Sequence, residues 1–495
     1  MATGACIVNA VSETYDLQAA HAVPNAGYKI QCVAAILVII GIPALCILGG
    51  QAGILRLAFP LLSIAVGGFL LWRSKPLYVG LVFWLWFVTP FLGRMADFQG
   101  GWTPASAVEL APYLAASLTG VWLLANLRCL TNRKALPYVC ALVAIAYGTI
   151  LGLTYLPLFN VLRALLNWFV PIVFGLFIYE NRQHYAEFRR VIEKSFLYGL
   201  LLLGTYGIYQ FFFLPDWDRM WMLNVQMNSF GEVDPMKARA FSTMNAPAIF
   251  AAAMACGLLV LFNLKGKLRL PASACGFVGL VLTLSRASWL SFAVGCLYLA
   301  LRLGMRARMR MALASVACIG LLIGFAQIPG IKDLVEERVA SFTQPGQDIS
   351  FSSRVEGHEQ ALRVLAQEPW GEGVGSTDTL HNTEGDDSII GPHDSTLLEF
   401  LYSLGWIGTF IYGLGLGTLG VQLFRTGRSD PFVLSAHAIL IGFMAQALLN
   451  SIFLGVLGFM VWTFASMSLA AAECAEIATE APERDRESQA HFAIA

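Results

Sequence analysis

The chain has 495 residues, 57% of them apolar and only 13% charged, and its 32 basic and 32 acidic side chains cancel. A soluble protein carries about a quarter charged residues, so the composition excludes an ordinary soluble enzyme, and neutrality offers no basic surface for nucleic acid. The expected fold class is all-α: a polytopic transmembrane helix bundle of about 12 to 14 spans, since only helices and closed barrels satisfy their backbone in lipid.

Residues 1–28 are polar, lack a basic n-region and read as a retained cytoplasmic tail rather than a cleaved signal peptide. Apolar runs then predict spans at 31–49, 54–72, 76–93, 108–127, 135–153, 158–179 and 195–214. Lys and Arg favour cytoplasmic loops. If both tails are cytoplasmic, Arg73, Lys75, Arg128, Arg133, Lys134, Arg182, Arg189, Arg190, Lys194, Arg425 and Arg428 all fall inside. A bundle of seven spans (29–213) is thus followed by an outer loop, 214–244, rich in aromatic and Met residues. Its Trp217, Met220, Trp221 and Met222 form either an interfacial belt or an apolar platform for a lipid or sugar.

Spans 8 to 11 follow within 245–328, at 245–263, 270–284, 287–302 and 311–328. The apolar run 270–301 is interrupted by Arg286 and flanked by Lys265, Lys267 and Arg269 on one side and Arg302, Arg306, Arg308 and Arg310 on the other. With both clusters cytoplasmic, this run must cross, turn near Ser285-Arg286 and return. Each arm is about 14–15 residues, or roughly 21–23 Å, against a hydrocarbon core of about 30 Å. Arg286 is therefore recessed. It is a site candidate by its placement, with snorkelling or a structural carboxylate pair as the alternative.

A large outer loop, 329–393, comes next. Segments 331–342 and 353–367 read as amphipathic helices, with Ser353 as an N-cap and Pro369 as a stop. The glycines of PWGEGVG (Gly371, Gly373, Gly375) are either ordinary turn residues or let backbone approach a substrate. The acidic stretch holding Asp378, Glu384, Asp386 and Asp387 lacks EF-hand spacing and reads as a solvated loop. Three last spans (396–424, 431–448, 452–470) lie within 394–470, and 471–495 is a second cytoplasmic tail. None of the ten cysteines falls in a predicted outer loop and none forms a CxxC pair, so neither disulfides nor a zinc site is expected.

Most outer-side basic residues, among them Arg56, Arg94, Arg219, Lys237, Lys332, Arg338 and Arg363, read as solvated loop charges. Two differ. Arg239 immediately precedes FSTMNAP, where the chain re-enters the membrane, and Arg163 lies about one turn inside its span. With Arg286 they are placed to converge on an anion, because guanidinium groups grip phosphate oxygens in a fork. Snorkelling is the alternative for Arg163. Opposite them, His393 and Asp394 stand where the large loop meets span 12, with Glu399 about one turn inside. Any of the three is chemically able to take a proton from a hydroxyl. Asp394 and Ser395 also suit a helix cap, a role compatible with catalysis.

At these residues the chain resembles the O-antigen ligase and polymerase superfamily, best over 214–408. The Ser285-Arg286 pair, the segment SSRVEGHEQALRVLAQEPWGEGVG and the Gly405-Trp-Ile-Gly408 pattern, with nine residues between Ser395 and Gly405, carry the resemblance. In that register Asp394 occupies the place of the family's histidine, and His393 is offset by one. The stretch YGIYQFFFLPDWDRMW is similar to members associated with exopolysaccharide synthesis.

The resemblance implies a GT-C-like, metal-independent inverting glycosyltransferase without cofactors in the bacterial inner membrane. Its active site would face the periplasm, its donor would be an undecaprenyl-pyrophosphate-linked glycan, and a chain-length regulator would be a candidate partner. It implies Asp394 or His393 as base, Arg286, Arg239 and Arg163 on the pyrophosphate, and Ser285, Glu399 and Arg354 in support. A transporter or an assembly scaffold are the competing classes. Clustering of the charges toward the outer side, rather than at the midplane, favours surface chemistry over translocation.

Overall fold

The computed structural model describes residues 26–104, 106–225, 228–306, 308–309, 311–313, 320, 324, 363, 369–377, 395–426 and 430–494. Most of predicted span 311–328 and of the large outer loop, with Arg354, His393 and Asp394, therefore lies outside the described residues. The described chain is helical and holds no strand, only an isolated bridge between Gly231 and Ala238.

The helices are α1 (Ala26–Leu48), α2 (Ala52–Arg73), α3 (Lys75–Gly100), α4 (Ala111–Ala125), α5 (Leu136–Tyr155), α6 (Leu158–Glu180) and α7 (Tyr185–Phe213). A short α8 (Asp216–Val225) precedes α9 (Pro247–Leu261), α10 (Arg269–Leu282) and α11 (Arg286–Arg302). The last three are α12 (Thr396–Arg425), α13 (Pro431–Ala445) and α14 (Gly455–Ile494). Among the described residues nine helical segments are long and apolar enough to cross a membrane; α9, α10 and α13 are shorter apolar helices. Each matches a span read from hydropathy. The chain forms an all-α, multi-pass bundle.

α3 runs on to Gly100, past the predicted 93, so that Arg94 lies within the helix, and two other boundaries move for a shared reason. α7 begins at Tyr185, ahead of the predicted 195, and α14 runs past the predicted end at 470. A hydropathy scan sees only lipid-compatible residues, whereas these ends are held by ion pairs. Arg189 bonds Glu193 one turn on at 2.9 Å and Asp430 at 3.0 Å. Lys134 reaches Glu473 at 3.1 Å and Glu476 at 3.0 Å, and Arg182 reaches Glu473 at 2.6 Å. These pairs mark one end of the bundle as basic. The α10–α11 turn lies at the other, called here the turn end.

α6 and α14 form the central pair. Gly175 lets the Trp462 carbonyl come within 3.0 Å of where a Cβ would stand, and Tyr138 shares a 2.6 Å hydrogen bond with Ser466. Small residues allow such backbone approach where lipid gives helices no hydrophobic reason to associate. α1 is peripheral, with Leu37, Ile40, Leu45 and Leu48 exposed. That surface suits lipid.

The 15 residues of α9 and the 14 of α10 are too few for the hydrocarbon thickness. They span about 22 and 21 Å of a core about 30 Å thick. Non-helical chain at the turn end completes the depth. Such backbone is tolerated in a membrane only when protein satisfies it.

Candidate functional site

The turn is built as its sequence suggests. α10 stops at Leu282, and the Thr283 hydroxyl donates to the Leu280 carbonyl at 2.6 Å. Leu284 takes a left-handed φ of 52°, a strained choice for a branched residue, and Ser285 is the extended N-cap of α11. The Trp289 indole donates back to Leu280 at 2.9 Å and pins the turn, while the Ser285 and Ser288 hydroxyls meet at 3.0 Å. Arg286 is thus the first residue of α11, half-buried and in contact with its surroundings. The positive dipole end of α11 lies at this residue.

The two arms do not rest chiefly on each other. α10 packs on α7 and α9, and α11 packs on α13 and α9. The α11–α13 seam is tight and antiparallel: Gly295 faces the Ala438 carbonyl at 3.0 Å, and Gly442 faces the Ser291 backbone. The Ala447 carbonyl accepts the Thr396 amide at 2.9 Å, and the Thr396 hydroxyl donates to the Asn450 carbonyl at 2.8 Å. The chain just past the end of α13 thus holds the start of α12. Ser395 is the N-cap of α12 by conformation, yet its side chain makes no cap hydrogen bond and its Oγ is buried without a hydrogen-bond partner among the described residues. The capping role expected of the Ser395 hydroxyl is therefore not seen.

Arg239 reaches the same turn from the other side. Ala240 donates its amide to the Leu282 carbonyl at 3.0 Å, and Arg239 itself donates Nη1 to the Ser229 carbonyl at 3.2 Å. Arg239 and Arg286 thus sit on two segments joined by a direct backbone hydrogen bond. Arg163, half-buried on α6, belongs to a different neighbourhood: it lies within electrostatic reach of Glu109, whose carboxylate accepts Asn245 Nδ2 at 2.5 Å.

Arg94 corrects the sequence reading. It is no solvated loop charge: it is 1% exposed and ion-paired with Asp218, itself fully buried, at 3.0 Å. Its Nη1 donates to the Met244 carbonyl at 2.7 Å and its Nη2 to the Ser242 carbonyl. Arg56 is likewise engaged, with Asp97 at 2.7 Å. Lys237 does fit the solvated reading, since it pairs with Glu232 at 2.7 Å on the exposed loop and that carboxylate holds its ammonium pKa up. One signal for Arg94 is present in the sequence: it follows directly on a predicted span that ends at 93.

The outer loop 214–244 departs in part from both of its expected roles. Trp221 and Met222 are buried with Leu214, Phe230, Ala238 and Phe241 in a small core of their own, so these two form neither belt nor platform. Trp217 stays half-buried and donates to the Tyr206 hydroxyl at 2.8 Å.

The PWGEGVG glycines also find a use not foreseen. Gly371, Gly373 and Gly375 have φ of 82°, 93° and 104°, a region that favours glycine. The segment lies across three helices with its backbone against theirs. Gly371 abuts Gly405 and the Tyr402 carbonyl, Gly373 abuts Gly152, and Gly375 abuts Asn160. Hydrogen bonds hold it there: Trp406 to the Pro369 carbonyl at 3.0 Å, Glu372 to Tyr402 at 2.8 Å and Val374 to Gly148 at 2.8 Å. The close approach is to protein backbone, so the glycines are more than turn formers. Gly405 interrupts α12 with φ 60° and ψ −170° to receive the segment. Glu399, 1% exposed, accepts the Thr377 hydroxyl at 2.7 Å, which ties the end of this segment to α12.

Among the described residues no group of three or more His, Cys, Asp or Glu is placed to hold a metal. Residues 271–413, from α10 through the turn and the large loop into α12, match the family model described as O-antigen ligase. No match is found among curated proteins.

Proposed function

Because residues 271–413 carry an O-antigen ligase domain, we propose that this membrane protein is a glycosyltransferase that polymerises undecaprenyl-pyrophosphate-linked oligosaccharide repeat units for exopolysaccharide or O-antigen. It would work at the periplasmic face of the inner membrane. The observation that supports this most is Arg286 at the N-terminus of α11, on a turn joined by a backbone hydrogen bond to the segment that carries Arg239. A helix N-terminus with an adjacent guanidinium favours phosphate oxygens.

In this reading Arg286 and Arg239 grip the donor pyrophosphate, with Arg163 a further cation at the same end. The anomeric carbon–oxygen bond breaks toward the pyrophosphate, whose growing negative charge the fixed arginines stabilise. An acceptor hydroxyl attacks from the opposite face, inverting the centre, and gives its proton to Asp394 or His393. Glu399, Ser285 and Arg354 support that arrangement. The lipid tail lies among apolar helices. A chain-length regulator is the natural protein partner for a polymerase.

Reconstituted protein supplied with lipid-linked repeat units tests this directly. Longer glycan on the same lipid, with free undecaprenyl pyrophosphate released, is the expected result. Transfer only to lipid A core would make the protein a ligase. Movement of unaltered lipid-linked glycan across the bilayer would make it a transporter.

A further inference from the structure

Residues 241–245 are non-helical backbone, all but Asn245 buried in the protein, and two side chains from neighbouring helices satisfy most of it. Gln210 Oε1 accepts the amides of Phe241 at 2.9 Å and Ser242 at 2.7 Å. Arg94 accounts for the carbonyl side, donating to Ser242 and Met244, with the Asn245 Oδ1 at 3.3 Å. Asp218 joins the two: it pairs with Arg94 Nε at 3.0 Å and accepts Gln210 Nε2 and the Tyr206 hydroxyl, each at 2.7 Å. The Phe241 ring lies 4.8 Å from the Arg94 guanidinium. The clasp holds a strained conformation, since Ser242 has a φ of 53°.

Membrane burial alone explains why these groups are satisfied. It does not explain why a complete ion pair is spent there, when an apolar pair in an ordinary helix would serve at least as well. The direction of the clasp suggests the reason. Immediately before the held segment, Ala240 bonds Leu282 at the tip of the turn, and Arg239 precedes Ala240. Whatever fixes 241–245 therefore fixes Arg239 relative to Arg286.

We propose that Arg94, with Asp218 and Gln210, is a positioning residue that sets the distance between Arg239 and Arg286 and so shapes the diphosphate-binding site. The planar fork of arginine suits this task, because it reaches two carbonyls and a carboxylate at once, which a lysine ammonium does not do in fixed geometry. The inference rests on the reading of Arg239 and Arg286 as donor ligands.

The test compares full-length proteins in lipid nanodiscs: wild type, Arg94→Lys, the pair Arg94→Met/Asp218→Leu, Arg239→Ala, and the triple variant. Thermal midpoint, hydrogen exchange over 238–246, and kcat and KM for the lipid-linked glycan are measured for each. The apolar pair leaves the Ser242 and Met244 carbonyls without a donor, so it is expected to melt below wild type while still folding, to exchange faster over 238–246, and to lose about tenfold or more in kcat/KM. Adding Arg239→Ala to it should cost little more, because coupled residues are not additive. Arg94→Lys should show the same signs at smaller size.

Normal kcat/KM in a well-folded apolar pair overturns the proposal, as does a full independent loss from Arg239→Ala in that background. If the apolar pair fails to fold, Arg94→Lys decides: unchanged exchange and kcat/KM overturn the positioning role. Normal donor turnover by Arg239→Ala alone overturns the donor reading itself, and this result does not depend on Arg94.

Discussion

Arg286 and Arg94 are both withdrawn in part or wholly from solvent, and their surroundings separate their roles. Arg94 is sealed and its partners are backbone and a carboxylate, whereas Arg286 is half-buried at a helix N-terminus where the bundle ends. Removing a bidentate grip on phosphate at Arg286 would cost about 2–4 kcal/mol, or roughly 30- to 1000-fold in rate. Arg286→Lys, which keeps charge but not the fork, and Arg286→Ala are both expected to lose polymer at unchanged protein level. Normal polymer from both would remove Arg286 from the site. For the base, the register to Gly405 and Gly408 favours Asp394, although histidine has the better unperturbed pKa. Asp394→Asn is expected to abolish product and His393→Ala to be milder. The reverse pattern would assign the base to His393, and activity in both would shift attention to Glu399.

Among the helices and loops, the glycine clasp joins the large loop to the elements that carry the site. Gly405 is its receptor, and a Cβ there would strike the Trp370 carbonyl as well as demand a positive φ. Gly405→Ala should therefore destabilise by about 2–4 kcal/mol, combining strain with displaced packing. Gly413 lies eight residues on in the same helix with open space around its Cβ position. Gly413→Ala should be neutral or stabilising by up to about 1 kcal/mol. Thermal melts of the two proteins in one detergent check the contrast. Equal behaviour would mean that the clasp contributes nothing. The nine-residue interval used to align Ser395 with Gly405 thus has a physical basis at its glycine end.

For the protein as a whole, orientation follows from where the basic residues gather. A cysteine placed at the exposed Lys237 should react with a membrane-impermeant maleimide from the periplasmic side in a cysteine-free background. One placed at the exposed Lys267 should react only after the membrane is opened. The opposite pattern would invert the topology and move the proposed chemistry to the cytoplasm. Arginines are able to neutralise a pyrophosphate without a divalent ion, so activity is expected to persist in excess EDTA. Loss restored by Mg²⁺ or Mn²⁺ would redirect attention to Asp386 and Asp387.

The bundle, the spans that fall on described residues and the interrupted hairpin at Ser285-Arg286 are legible in the amino-acid sequence. They depend on hydropathy, chain length and charge placement, which are local and survive in one dimension. The resemblance carried by Arg286, Gly405 and Gly408 is legible there too. What Arg94, Trp221 and the PWGEGVG glycines do emerges only when the chain is folded. Arg94 reads as an end-of-span cation because its partner Asp218 and the carbonyls of Ser242 and Met244 lie more than a hundred residues away. Gly373 reads as a turn because Gly152, the backbone it accommodates, belongs to another helix. Satisfaction of buried polar groups and close backbone approach are pairwise properties, and the second member of each pair is chosen by folding.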